Sequence, residues 1–148
     1  MLEDLYREVI LKHYRSPANR RSVPDANARS YSINPLCGDE MTVAARIDQG
    51  YIADAAFEAR GCSISQASAD MMADVIRGKT VGEVAALVEG FRGTMLSASE
   101  EVSDDLGDLG ALQGVKKYPV RIKCALLPWD TLADALREFQ VPSSELKV

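Results

Sequence analysis

Apolar residues recur at Leu2, Leu5, Val9 and Tyr14, widened by Tyr6 and Ile10, so residues 2–14 carry one stripe at helical spacing. The stripe breaks at Ser16–Pro17, and Pro17, Asn19, Pro24, Asn27, Asn34 and Pro35 give residues 16–35 a loop composition, with room for a short strand in the 28–34 region. The period then changes to two. Met41, Val43, Ala45 and Ile47 alternate with mostly polar residues, as do Tyr51, Ala53, Ala55, Phe57 and Ala59. With Gln49–Gly50 as the turn, the two runs predict a β-hairpin. After Gly61-Cys62-Ser63, an Ala- and Met-rich helix is predicted from about Ser65 to Ile76, ended by Gly78. Thr80 and Glu83 have capping-box spacing and open another helix, expected to end near Gly90. Residues 97–110 are acidic (Glu100, Glu101, Asp104, Asp105, Asp108) with Gly107 and Gly110 between, and read as a solvated loop. Pro119 stands near the start of an apolar stretch, Tyr118–Leu127, where a helix tolerates it. Trp129, Leu132, Leu136 and Phe139 mark a last amphipathic helix. A small sheet followed by helices predicts an α+β fold, a small antiparallel sheet of about three strands packed against helices.

A chain of 148 residues suits one domain, expected to span 1–148. With 47% hydrophobic and 26% charged residues it can build a core. The net charge of −5 argues against a general nucleic-acid binder, since little here would neutralise a row of phosphates. No apolar run approaches a membrane span, and Glu3 and Asp4 stand where a signal peptide would be basic. The expected location is the cytoplasm, where thiols stay reduced.

That setting gives weight to the three cysteines, an odd number that cannot all pair within one chain. They lie in Asn34-Pro35-Leu36-Cys37-Gly38-Asp39, Gly61-Cys62-Ser63-Ile64-Ser65 and Lys123-Cys124-Ala125-Leu126-Leu127, with no close cysteine pair of the kind usual in structural zinc sites. Spacing alone leaves open that all three are buried thiols packed as small hydrophobes. Cys37-Gly38-Asp39 adds a carboxylate two positions from a thiol, joined by a residue that lets both turn to one point. Three thiolates and one carboxylate would complete a tetrahedral zinc site through Cys37, Asp39, Cys62 and Cys124. The carboxylate is the harder and more exchangeable ligand, which suits a site that must open. Metal-bound thiols are held as thiolates, the reactive form, so using one requires a partner that displaces a ligand.

At these residues the chain resembles the U-type iron–sulfur cluster assembly proteins, the family of IscU and SufU. Leu5-Tyr6, Ile10-Leu11-Lys12-His13-Tyr14 and Ser16-Pro17-Ala18-Asn19 resemble the family's opening. Asn34 to Asp39, Gly61 to Ser68, and Arg121 to Trp129 resemble its three ligand motifs, in order. Within the family the resemblance is to the SufU branch. The stretch from Gly78 to Gly114 is longer than in IscU, no Leu-Pro-Pro-Val-Lys string is present, and Lys123 stands where IscU has a histidine before its last cysteine.

The resemblance implies a zinc-dependent sulfurtransferase with one zinc per chain, partnered by a cysteine desulfurase of the SufS type. A histidine of the desulfurase would replace one zinc ligand, Cys37 would accept the sulfur, and Asp39, Cys62 and Cys124 would hold the metal meanwhile. Downstream iron–sulfur assembly proteins would receive the sulfur, with no nucleic acid and no membrane as partner. It also offers Arg121 as a group that steadies a thiolate or persulfide, although Arg is mostly a surface residue. Lys123 reads as solvated, His13 as a surface or packing residue, and Met71 and Met72 as core. Two other readings stand beside this one. The same ligands would hold a 2Fe–2S cluster in a scaffold, or a structural zinc in a protein that only binds partners.

Overall fold

The computed structural model describes residues 2–35, 38–97 and 104–140. In chain order these form helix α1 (Leu2–Arg15), strands β1 (Ala28–Asn34), β2 (Asp39–Asp48) and β3 (Tyr51–Arg60), helices α2 (Ser63–Ile76) and α3 (Val81–Leu96), a 3-10 segment (Asp104–Val115) and helix α4 (Pro119–Gln140). The strands make an antiparallel sheet in the order β1-β2-β3, with Asn34 opposite Asp39 and Val43 opposite both Ser30 and Phe57. The predicted α+β architecture is the one observed. Met41, Val43, Ala45 and Ile47 all face inward and meet the helices in one core with Phe57, Met72, Ile76, Phe91, Trp129 and Leu132. No described helix is long and apolar enough to cross a membrane.

Five local expectations change. The inward set of β3 switches phase: Ala55 and Phe57 are buried, but so is Ile52, while Tyr51 and Ala53 face solvent. The cause is a bulge, since Arg46 pairs Asp54 and Ile47 pairs Ile52, leaving Ala53 as an extra residue that flips the alternation. Helix α3 begins as predicted, with Glu83 N donating to Thr80 Oγ1 at 3.1 Å and Thr80 N donating to Glu83 Oε1 at 2.9 Å. It does not stop at Gly90. Its buried residues Val84, Val88, Phe91 and Met95 continue the helical stripe beyond that glycine, and burial outweighs a helix-propensity cost of about 1 kcal/mol.

Tyr118–Leu127 and the last amphipathic helix are one helix, α4, with Pro128 inside it. Proline has no N–H, so the helical bond to the Cys124 carbonyl cannot form. One turn on each side is reinforced by side chains. Ser68 Oγ donates to Ala125 O at 2.6 Å, Thr131 Oγ1 donates to Leu127 O at 2.7 Å, and Trp129 Nε1 donates to Ser68 Oγ at 3.0 Å. Burial of Ala125, Leu126, Trp129 and Leu132 holds the helix together across the proline. Finally, the acidic stretch is not wholly a solvated loop. Residues 98–103 lie outside the described residues, but Leu109, Ala111, Leu112 and Val115 of the 3-10 segment enter the core. The charge run hid the apolar residues that follow it. Leu5, placed on the α1 stripe, is 58% exposed, whereas Ile10 is buried.

Phe91 is fully buried and its ring centroid lies 4.9 Å from that of Trp129. Phe91→Ala is expected to lower unfolding stability by about 3–5 kcal/mol, measured by urea denaturation followed through the single tryptophan.

Candidate metal centre

The site lies where the sheet hands over to the helices. Asp39 is the first residue of β2, Cys62 is the residue that caps the N-terminus of α2, and Cys124 lies on α4. One ligand atom from each, a carboxylate oxygen and two Sγ atoms, come within 4.8 Å of one another. Asp39 and Cys124 are 2% and 1% exposed, while Cys62 is half-buried, so the cluster is dry on its inner side and open at Cys62. Neither cysteine is in a disulfide.

The backbone and the thiol of Cys62 fix the carboxylate. Cys62 N donates to Asp39 Oδ1 at 2.9 Å, and Cys62 Sγ is 3.2 Å from Asp39 Oδ2, to which the thiol donates. The first N–H groups of a helix have no partner within it, and the helix dipole makes that end favourable for negative charge. Cys62 supplies no side-chain cap, and Asp39 accepts from the N–H of this N-cap residue, the bond that the third helical residue supplies in a capping box. The loop before the helix is tied in turn: Gln66 Nε2 donates to Gly61 O at 2.9 Å, and Ser65 Oγ donates to Cys62 O at 3.1 Å.

Gly61 makes the approach possible. Its φ is 141°, and a Cβ there would lie 2.0 Å from Asp39 Oδ1 and 2.9 Å from Asp39 Cβ. No side chain fits between the end of β3 and the start of β2 at this point.

Of the residues nominated from the sequence, Asp39, Cys62 and Cys124 are brought together, and Cys37 lies outside the described residues. The described residues on either side are tied to each other: Gly38 N donates to Asn34 O at 2.7 Å, and Asn34 pairs Asp39. Arg121 is exposed on the first turn of α4, with its backbone N donating to Tyr118 O at 2.8 Å. Lys123 is exposed, and Met71 and Met72 are core. His13 belongs to another cluster, against Asp70 and Asp108. Sequence reasoning missed Gly61, whose signal was its place directly before a cysteine at a strand end. It also missed Ser68, whose partners come from a helix almost sixty positions later.

The donor set fits zinc. On a tetrahedral ion with bonds of roughly 2.0–2.3 Å, neighbouring ligand atoms stand roughly 3.3–3.8 Å apart, and the Asp39–Cys62 separation of 3.2 Å is already near that. Two thiolates and a carboxylate leave a fourth position to fill, and Cys37 is joined to Asp39 through Gly38 alone.

Residues 5–140 match the family described as the NifU-like N terminal domain. The chain is 43% identical over 131 residues to the zinc-dependent sulfurtransferase SufU of Bacillus subtilis (strain 168), with 88% of each chain covered. It is 36% identical over 139 residues to the iron–sulfur cluster assembly scaffold protein IscU of Thermotoga maritima, covering 93% of this chain and 96% of that one. Among solved structures, a candidate iron–sulfur cluster assembly scaffold protein for the SUF system from Fervidobacterium islandicum AW-1 superposes with a TM-score of 0.81 at 35% identity, covering 87% of this chain and 94% of that one. A NifU-like protein (N-terminal) from Brucella abortus gives a TM-score of 0.83 at 25% identity, covering 93% and 96%.

Gly61→Ala is expected to push the Asp39 carboxylate out of the cluster. Competition with a chromogenic chelator should then show zinc affinity at least tenfold weaker, in the range found when groups supporting a metal site are lost, with the far-ultraviolet circular dichroism unchanged.

Proposed function

The chain belongs to the NifU-like N-terminal domain family, and from that premise we propose that it is a zinc-dependent sulfurtransferase of iron–sulfur cluster assembly, accepting persulfide sulfur from a SufS-type cysteine desulfurase. The observation that carries the proposal is the convergence of Asp39, Cys62 and Cys124 from three separate elements to within 4.8 Å. Cys37, Asp39, Cys62 and Cys124 are the four zinc ligands in this reading. Zinc supplies one thing here: it gathers the thiols and keeps them deprotonated.

Cys37 is the sulfur acceptor. In sequence Cys37 stands between β1 and β2, while the other three ligands lie on β2, at the cap of α2 and on α4. The Cys37 thiolate attacks the outer sulfur of the donor Cys–S–SH. The donor sulfur–sulfur bond breaks, the donor cysteine leaves as thiolate, and Cys37 becomes the persulfide, with no net oxidation. Asp39 stays against the Cys62 amide throughout, and Cys124 is held by the α2–α4 hydrogen bonds around Ser68. Arg121, exposed near the start of α4, is proposed to meet the incoming persulfide rather than the metal.

A scaffold role for a 2Fe–2S cluster is the second reading, favoured by the resemblance to proteins named as IscU scaffolds at 36% and 35% identity. Lys123 precedes Cys124 and provides no cluster ligand, which favours the transferase.

Elemental analysis of freshly purified protein is expected to give about one zinc and negligible iron per chain. With a SufS-type desulfurase and cysteine, wild-type protein is expected to raise turnover, and Cys37→Ala to stay folded and abolish the stimulation. Cys124→Ala is expected to lose zinc and stability together. Full stimulation by Cys37→Ala, or iron with acid-labile sulfide in place of zinc, would contradict the proposal.

A further inference from the structure

A second cluster of ionisable groups lies away from the metal centre. His13, on the last turn of α1, is 6% exposed and is the only histidine in the chain. Its Nδ1 is 2.6 Å from Asp70 Oδ2 on α2, and its Nε2 is 2.7 Å from Asp108 Oδ2 on the 3-10 segment. Both ring nitrogens thus face a carboxylate at charge-assisted distance, the arrangement of an imidazolium that donates twice. Asp70 is 1% exposed and is locked by Asn19, whose Nδ2 donates to Asp70 Oδ1 at 2.9 Å and to Asp70 O at 3.2 Å. Asp108 has half its side chain in solvent.

The 3-10 segment lies antiparallel along α1, pinned at both ends. At one end Asp108 meets His13. At the other, Gly114 abuts Tyr6, where a Cβ would lie 3.2 Å from Tyr6 Cδ2. Gly107, with φ 55° and ψ −129°, breaks the segment immediately before Asp108 and turns that carboxylate toward the histidine. A cavity of about 230 Å³ opens beside the contact, lined by His13, Met71, Asp74, Val75, Asp108 and Leu109.

We propose that His13 is a proton-dependent latch that docks the 104–115 segment, and with it the entry to α4, onto α1 and α2. The segment ends at Val115 and α4 begins at Pro119, so its docking sets where the helix carrying Cys124 starts. The groups facing His13 are Asp70 and Asp74 from α2 and Asp108 from the 3-10 segment, and Lys12 and Arg15 flank it on its own helix. Asp74 Oδ1 is taken up by Asn19 Nδ2 at 2.9 Å and Arg77 at 3.3 Å, which leaves His13 to Asp70 and Asp108 and disfavours a cation there. Burial disfavours the charged ring, but hydrogen bonds from it to Asp108 and Asp70, with the attraction of both carboxylates, more than offset this and raise the His13 pKa above its ordinary 6.5. A group whose pKa is raised by folding stabilises fully below its unfolded pKa, and that contribution is lost as pH rises through the folded pKa. The latch is therefore closed in mildly acid solution, where the ring is charged and the carboxylates are ionised, and weakens as pH rises through a midpoint above 6.5.

Because His13 is the sole histidine, its imidazole signals in a nuclear magnetic resonance titration of untagged zinc-loaded protein are unambiguous. The midpoint is expected above 6.5 in wild type and lower in Asp108→Asn. Amide exchange in residues 108–115, expressed as protection factors to remove the intrinsic pH dependence, is expected to lose protection across the wild-type midpoint. In Asp108→Asn, protection there should be about tenfold lower in mildly acid solution, below the wild-type midpoint, and flat with pH, while β2 and β3 keep theirs. A wild-type midpoint at or below 6.5, or equal protection in the two proteins, would overturn the proposal. So would an imidazole signal displaced by added magnesium, which would make the cluster a cation site. None of these readouts depends on sulfur transfer.

Discussion

The contact between the Asp39 carboxylate and the backbone of Gly61 and Cys62 governs this end of the molecule. It joins the first residue of β2 to the start of α2 and so decides how the sheet meets its first covering helix. It also aims a carboxylate and a thiol at one point. The contact rests on an absence, since any Cβ at residue 61 would overlap the carboxylate. A structural need and a chemical one meet in a single glycine, and the N–H of the residue that caps α2 is satisfied by a carboxylate that also faces two thiols.

Helix α2 then carries the arrangement across the molecule. Its N-terminus holds Cys62 and Asp39. Nearly two turns on, Ser68 takes the Trp129 indole N–H and donates to Ala125 O beside Cys124, so α4 is indexed against α2 at the level of Cys124. Further on, Asp70 reaches His13 and so α1. The two cysteines within the described residues are therefore held by a frame of hydrogen bonds. That frame suits two thiols that would keep a metal in place.

Much of this was legible in the sequence, because the elements follow from local periodicity and the ligand motifs are short. The hairpin, the inward set of β2, the capping box of α3 and the trio of Asp39, Cys62 and Cys124 needed no knowledge of distant contacts. The misreadings share a cause. The bulge at Ala53 depends on how β3 pairs with β2, which periodicity within one strand cannot reveal. Helix α3 passes Gly90 and α4 passes Pro128 because tertiary burial outweighs local preference. His13 looked like a surface or packing residue because its partners, Asp70 and Asp108, are 57 and 95 positions away. Asp108 looked solvated because it ends an acidic run, yet Leu109 and Leu112 just after it are core.

The central claim is that one thiol of a metal-holding set receives sulfur while its neighbours stay in place. It is tested most directly by locating that sulfur. Zinc-loaded protein would be incubated with a SufS-type desulfurase and cysteine, trapped with an alkylating agent that spares persulfides, and mapped by peptide mass spectrometry. The account predicts one added sulfur atom on the peptide containing Cys37, none on those containing Cys62 and Cys124, and zinc still bound. Added sulfur on Cys62 or Cys124 with Cys37 unmodified, or no added sulfur anywhere during active turnover, would contradict it.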